Sequence, residues 1–333
     1  MTIKIGINGL GRIGRSVARA IIEEGYDDIT LVAANGSAPN ETHAHLLQFD
    51  SVHGRFQHHI AVDDKGLDMG RGHITITHER DPNTIDWNAL GVDLVLECTG
   101  AFNSREAASI HLARGARRVL ISAPASDDCP TIVYGVNDQT VTPEHTVVSV
   151  GSCTTNCLAP VAQALDAEFG IIAGSMTTIH AYTSDQNIQD GTHKDLRRAR
   201  AAALSMVPTK TGAAKAIGLV LPQLAGRLSG SAIRVPTANV SLVDLVVSLA
   251  KPTTKEAVNA ALVAAAKALP KNVMKTDTRP LVSVDYVHDN ASAIVDLTAT
   301  TVTGGALARV AAWYDNEWGF SCRMLDMARK LAM

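Results

Sequence analysis

Apolar positions along the first third of the chain follow two alternating periods. Ile3–Asn8 alternates as a strand does and stops at Gly9, whereas residues 12–24 repeat every three to four positions, with Ile13, Val17, Ala20 and Ile21 on one face. A second apolar run of strand length follows at Ile29–Asn35. Further strands are expected at 74–77, 94–98, 118–122, 131–134 and 146–149, with helices over 105–113 and 156–169. Strands alternating with helices in this way predict an α/β Rossmann-type domain built on a parallel, doubly wound sheet.

After a boundary near Gly151 the pattern changes. Longer apolar runs at 174–180, 231–234, 240–249, 281–284, 293–297 and Leu307–Tyr314 read as strands, separated chiefly by helices over 212–221 and 255–269. Few helices between many strands predict an α+β domain with a mixed or antiparallel sheet. The expected division is residues 1–151, residues 152–315 and a helical tail over 316–333.

Composition narrows the class without changing it. The chain has 333 residues, of which 46% are hydrophobic, 19% charged and only 4% aromatic. Scarce aromatics beside abundant Ala, Val, Leu and Ile suit parallel strands buried between helices. A net charge of −3 with no long Lys/Arg run argues against nucleic-acid binding. No apolar run approaches the roughly 20 residues that a bilayer span requires. Five cysteines with no C-x-x-C pair point away from a disulfide framework and towards a reducing, cytoplasmic setting.

Gly9-Leu10-Gly11-Arg12-Ile13-Gly14 is a G-x-G-x-x-G sequence between a predicted strand and a predicted helix. Those glycines allow a tight turn and bring the backbone close to a pyrophosphate held at the helix start. An NAD-selecting site commonly has an acid about 20 residues further on to bind the ribose 2′-hydroxyl. Here the second strand ends Ala34-Asn35-Gly36-Ser37, with no carboxylate before Glu41. Gly36 removes the charge that would repel a 2′-phosphate, and Ser37 offers it a hydrogen bond. NADP, alone or beside NAD, is therefore the expected cofactor.

The segment from Ser152 to Cys157 follows a strand-like run and opens a helix, so Cys153 in its first turn is expected to have its thiol pKa lowered by the helix dipole. Cys98, Cys129, Cys157 and Cys322 read as small buried hydrophobes. Five histidines, His43, His45, His53, His58 and His59, crowd one stretch without a ligand spacing. Adjacent His58 and His59 would face opposite ways on a strand, so no metal site is expected.

Five segments then coincide: Gly151-Ser152-Cys153-Thr154-Thr155-Asn156-Cys157, His180-Ala181-Tyr182-Thr183, Thr211-Gly212-Ala213-Ala214-Lys215, Arg234-Val235-Pro236-Thr237 and Trp313-Tyr314-Asp315-Asn316-Glu317-Trp318-Gly319. In order and spacing, essentially end to end, the chain resembles the glyceraldehyde-3-phosphate dehydrogenase family. The resemblance implies a Rossmann domain, a catalytic domain, a C-terminal helix returning to the first, and a homotetramer. It implies a phosphorylating aldehyde dehydrogenase of glycolysis or gluconeogenesis, with glyceraldehyde 3-phosphate and inorganic phosphate as partners. Carried over position by position, Cys153 is the nucleophile and His180 its acid/base partner. Thr183 and Arg234 match the substrate-phosphate site, and Ser152, Thr154, Arg198, Thr211 and Gly212 the inorganic-phosphate site. Arg12, Ile13, Arg80 and Ser122 match cofactor contacts, and Asn316 matches the residue that orients the nicotinamide carboxamide. Gly36, where NAD-specific members commonly have Asp, and Gly191-Thr192, where they commonly have Leu-Pro, both agree with NADP use. An erythrose-4-phosphate dehydrogenase on the same scaffold is the near alternative, disfavoured by the intact Ala-Tyr-Thr after His180. The alternative from another class is a nucleotide-binding interaction protein, disfavoured by intact catalytic positions.

Overall fold

The computed structural model describes residues 2–332, which fall into two compact units. The first holds the described residues through Tyr134, Asp138–Gly151, and the described residues from Ser321 onward. The second holds Gly135–Asn137 and Ser152–Phe320.

In the first unit the elements run β1 (Ile3–Asn8), α1 (Arg12–Glu23), β2 (Ile29–Asn35), α2 (Asn40–Gln48), β3 (Phe49–Asp50), β4 (Gly54–Arg55), β5 (Ala61–Asp63), β6 (Gly66–Asp68) and β7 (His73–Thr77). They continue through β8 (Leu94–Glu97), α3 (Arg105–Ala108), α4 (Ile110–Ala113), β9 (Arg118–Ile121) and β10 (Val147–Ser149). Eight strands form one sheet in the order β10-β9-β8-β1-β2-β7-β6-β5. The six from β10 to β7 are parallel, and only the β5–β6–β7 end is antiparallel. Ile5, Ile7, Val95, Leu96, Val119 and Leu120 are fully buried along its centre, as strands covered on both faces require. This is the Rossmann half of the expected fold.

The second unit contains α5 (Cys153–Phe169), β11 (Ile171–Ala181), β12 (Val207–Lys210), α6 (Ala213–Val220), β13 (Leu228–Val235), β14 (Ser241–Leu249), α7 (Lys255–Ala268), β15 (Met274–Asp277), β16 (Ala293–Thr303) and β17 (Leu307–Tyr314). Its seven-stranded sheet has the order β12-β13-β11-β14-β17-β16-β15. Two neighbouring pairs are parallel and the rest antiparallel, a mixed sheet. The last helix, α8 (Trp318–Ala332), belongs to the first unit from Ser321 onward. There Tyr26 donates to the Cys322 carbonyl at 3.2 Å, and Arg329 forms an ion pair with Asp28.

Some local expectations are corrected. The strand expected at 281–284 is instead a 3-10 helix, Ser283–Tyr286, because Asp285 accepts from the Val282 N–H at 2.9 Å and closes a cap. The strand at 131–134 shrinks to one bridge between Thr131 and Ser149 before the chain turns. The helix over 105–113 is two short ones that meet at Ser109. The stretch with His58 and His59 is not a strand, and His43 and His45 lie on a helix, α2, that the hydrophobic pattern did not reveal.

Candidate active site

Between β1 and α1 the three glycines have three distinct duties. Gly9 turns the chain at a φ of +102°, a left-handed conformation that favours glycine. A Cβ on Gly14 would lie 2.0 Å from the Gly9 carbonyl, so α1 packs against the turn only without one. Gly11 faces open space, with nothing within 4 Å of an added Cβ, and no side chain caps the start of α1. A helix start without a side-chain cap, beside open space, suits a pyrophosphate. Beneath the turn, Asn8 donates to buried Glu97 at 2.6 Å, and Asn35 donates to Asn8 at 2.8 Å, which ties together the ends of β1, β2 and β8.

A cleft of about 600 Å³ opens here, with Gly9, Gly11, Asn35, Gly36, Ser37 and Arg80 among its lining residues. These are six of the residues expected from the sequence to hold the dinucleotide. Arg12 and Ile13 do not line this cleft, and the Arg12 guanidinium instead forms an ion pair with Asp50. Burial pushes the Asp50 carboxyl up, but Arg12 and the N–H groups of His53 and Val52 outweigh it and hold the pKa well below 3.8. Ser122 is half-buried after β9, also outside the cleft lining. Cys98, expected to be buried, is half-buried and lines the cleft. His43, discounted from the sequence, lines it too.

In the second unit Ser152 caps α5: its hydroxyl accepts from the Thr155 N–H at 3.0 Å, so the helix begins ahead of the periodic run over 156–169 and has Cys153 in its first turn, as expected. The Cys153 sulphur lies 3.5 Å from His180 Nε2. His180 and Arg234 are register partners on the parallel strands β11 and β13, which points both side chains to the same face. The Arg234 guanidinium donates to His180 Nδ1 at 2.7 Å and to the Ala181 carbonyl at 3.1 Å. Nδ1 also lies 2.7 Å from the Ala181 carbonyl, so it accepts when it pairs with the guanidinium, leaving the ring proton on Nε2, and donates when it pairs with the carbonyl.

Electrostatics depart from the sequence expectation. Burial pushes the Cys153 thiol up and outweighs the opposing pull of Arg234 and of Thr154, so the helix start alone does not make a low-pKa thiolate. Burial and then the Arg234 charge push His180 down to about 3, so its imidazolium is disfavoured. Burial likewise raises Cys157, which sits one helical turn beyond Cys153 with its thiol 3.8 Å from the Ala312 carbonyl.

Other expected positions surround this chain of contacts. Thr154 shares a hydrogen bond of 2.8 Å with the Tyr314 hydroxyl, which also meets Thr178 at 2.8 Å. Arg198 donates to Thr209 at 2.9 Å and forms an ion pair with Asp185, and its charge adds to the depression of His180. Asn316 accepts from Ser241 at 2.7 Å, and Ser241 in turn accepts from the Ala181 N–H. The bonds of Thr183 and Thr211 run elsewhere: Thr183 to Gln186 at 2.9 Å, and Thr211 to the Ala213 N–H at 3.2 Å, beside Gly212 at the start of α6. Thr192 lies exposed in an irregular loop. Tyr314, Ser241 and Asp185 were not singled out from the sequence. Tyr314 stood inside a quoted segment, but only the pairing of β14 with β17 brings Ser241 beside it.

Comparison with known proteins is consistent across the chain. Residues 3–105 match the family described as glyceraldehyde 3-phosphate dehydrogenase, NAD binding domain, and residues 152–316 match its C-terminal domain. The chain belongs to the glyceraldehyde-3-phosphate dehydrogenase family. It is 56% identical over 328 residues to a glyceraldehyde-3-phosphate dehydrogenase of Xanthobacter flavus, covering 98% of each chain. Similarity to the protein of the same name from Cereibacter sphaeroides is also 56%, over 98% of both chains. With that from Geobacillus stearothermophilus identity is 51%, over 100% of this chain and 99% of the other. Family membership makes the chain an NAD- or NADP-dependent oxidoreductase. The glycine turn fits such a cofactor on its own geometry. No helix among the described residues is long and apolar enough to cross a membrane, and no cluster there could hold a metal ion.

Proposed function

We propose that the chain is a phosphorylating glyceraldehyde-3-phosphate dehydrogenase that works through a thioester on Cys153. The carrying observation is the contact chain Cys153–His180–Arg234, with sulphur and Nε2 3.5 Å apart. The Cys153 sulphur attacks the aldehyde carbon and forms a hemithioacetal. The thiol proton passes to the carbonyl oxygen. The resulting hydroxyl gives its proton to His180 Nε2 as the hydride leaves, and that transfer needs the tautomer with the ring proton on Nδ1. Nδ1 lies 2.7 Å from the Ala181 carbonyl, which accepts that proton once Arg234 turns to the substrate's phosphate. Binding of the anion at Arg234 and Thr183 therefore makes His180 a base as the aldehyde arrives. Gly9, Gly11, Gly14 and Asn35 would hold NAD or NADP, which would supply the hydride acceptor for oxidation of the hemithioacetal to a thioester. Inorganic phosphate, held by Ser152, Thr154, Arg198, Thr211 and Gly212, attacks the thioester carbon. The Cys153 sulphur leaves, and 1,3-bisphosphoglycerate is released.

NADP is turned over at least as well as NAD in this reading, supported by Gly36, Ser37 and Thr192. The chain assembles as a homotetramer in the cytoplasm. Support for assembly comes from Ile188, Leu196, Leu204 and Met206, large apolar side chains each at least 73% exposed within one segment. The test is a steady-state assay with glyceraldehyde 3-phosphate or erythrose 4-phosphate, phosphate, and each cofactor in turn. Preference for the triose with NADP at least equal to NAD is expected; a preference for NAD by orders of magnitude overturns the cofactor reading.

A further inference from the structure

His43 on α2 is 5% exposed, and neither ring nitrogen makes a hydrogen bond of good geometry, the Gly36 backbone being its close polar neighbour. Burying an imidazole with both nitrogens unmatched is costly, and a buried unmatched polar group calls for an explanation. The ring lines the dinucleotide cleft beside Gly36, Ser37 and Arg80. A Cβ placed on Gly36 would lie 2.5 Å from His43 Nε2, so the imidazole occupies the space that any side chain at position 36 would need. The end of β2 is where a dinucleotide site meets the adenosine ribose, and a carboxylate there marks NAD selection. Here a glycine has made room for an imidazole. The peptide of Gly36 is held in turn by His78, whose Nδ1 is 2.9 Å from the Gly36 carbonyl.

We propose that His43 reads the 2′ substituent of the adenosine ribose, pairing as a cation with a 2′-phosphate and excluding, by its bulk, the acid that would select a 2′-hydroxyl. The inference rests on the NADP-compatible reading of this cleft and names the residue that acts there. Burial is the largest effect on the ring; with the charges of His78, beyond β7, and Arg15 of α1 it outweighs the opposing Gly36 backbone and holds His43 below 6.5. Glu79 and Arg80 line the same cleft. Carboxylates of neighbouring strands are engaged elsewhere, Asp50 of β3 with Arg12 and Asp63 of β5 with His73. Without a ligand the ring is therefore neutral at pH 7. A phosphate dianion set against it raises its pKa and draws in a proton, so binding of a 2′-phosphate is accompanied by proton uptake near neutrality. A 2′-hydroxyl has no charge with which to do so.

The test uses the intact protein with ADP-ribose and 2′-phospho-ADP-ribose, which carry no nicotinamide and undergo no redox chemistry. Calorimetry gives each affinity and, in buffers of different ionisation enthalpy, the protons taken up. Wild type is expected to bind the 2′-phosphorylated probe more tightly, with proton uptake. His43→Leu is expected to lose about tenfold of that preference and the uptake, while its affinity for ADP-ribose stays unchanged, which also shows that the cleft still folds. Gly36→Ala, which crowds the imidazole without removing it, should lose the preference in the same direction. A His43→Leu protein that keeps both the preference and the proton uptake overturns the role of His43 and leaves NADP use standing. A wild type that prefers plain ADP-ribose overturns the NADP reading and this inference together.

Discussion

Arg234 and His180, register partners on neighbouring parallel strands, are joined by a 2.7 Å hydrogen bond from guanidinium to Nδ1. While that bond is made Nδ1 accepts, in competition with the Ala181 carbonyl 2.7 Å away, and the Arg234 charge disfavours protonation of the ring. In the proposed mechanism, His180 takes up a proton at Nε2 only when Arg234 turns from it to the substrate's phosphate.

Replacing Arg234 with Leu removes both the donor to Nδ1 and a charge that disfavours the imidazolium. The His180 pKa is expected to rise from about 3, and its ring proton to move to Nδ1, where Ala181 accepts it. Nitrogen chemical shifts of the labelled imidazole report both changes. An unmoved pKa and tautomer would contradict the coupling.

Gly11 and Gly14 separate binding from folding. Gly14→Ala places a Cβ 2.0 Å from the Gly9 carbonyl, and the turn must shift, with an expected loss of about 2 kcal/mol or more and of dinucleotide affinity. Gly11→Ala meets nothing in the free protein, so its melting temperature should stay near wild type while dinucleotide affinity falls. Thermal denaturation paired with binding of ADP-ribose checks both. Equal stability loss in the two variants would contradict these duties.

Much of this architecture was legible in the sequence, because buried parallel strands and the glycine turn leave periodic traces. What escaped depended on pairing or capping. β12 carries Pro208 and lies at the sheet edge, bonded only to β13, so its short run did not read as a strand. The 3-10 turn at Ser283–Tyr286 depended on Asp285 reaching back to Val282. Cys153 and His180 stood out by resemblance, and their contact is found in the fold, but Arg234 on Nδ1 and Tyr314 behind Thr154 are consequences of register between strands far apart in sequence. The burial of His43 was not legible, because a histidine-rich run gives no sign of which ring turns inward.

Tyr314→Phe tests the support behind Cys153. Its hydroxyl bridges Thr154 and Thr178 at 2.8 Å each, all three groups being buried. Loss of that oxygen leaves two threonine hydroxyls without it, an expected cost of about 1–3 kcal/mol in stability. Denaturant unfolding measures this; a cost near zero would show that the threonines find other partners.

Acid should unfold the first unit in a defined window. Asp50 has a carboxyl held below 3.8 by Arg12 and two N–H groups against the opposing effect of burial. A carboxyl lowered in the folded state contributes stability that is complete above its unfolded value, about 4, and that is lost as pH falls through the lowered one. Asp277 of the second unit, lowered to about 2 by Arg279, behaves alike. Melting temperature is therefore expected to fall between about pH 4 and pH 2, with a shallower slope in Asp50→Asn. An identical slope in that variant would remove Asp50 from the account.

The most direct test of the Cys153 thioester is one turnover with glyceraldehyde 3-phosphate and cofactor, without inorganic phosphate. The account predicts a burst of one reduced cofactor per chain and an acyl group on the peptide containing Cys153, released when phosphate is added. In Cys153→Ser neither burst nor adduct should appear. A full burst in that variant, or an acyl group mapped to another residue, would contradict the mechanism.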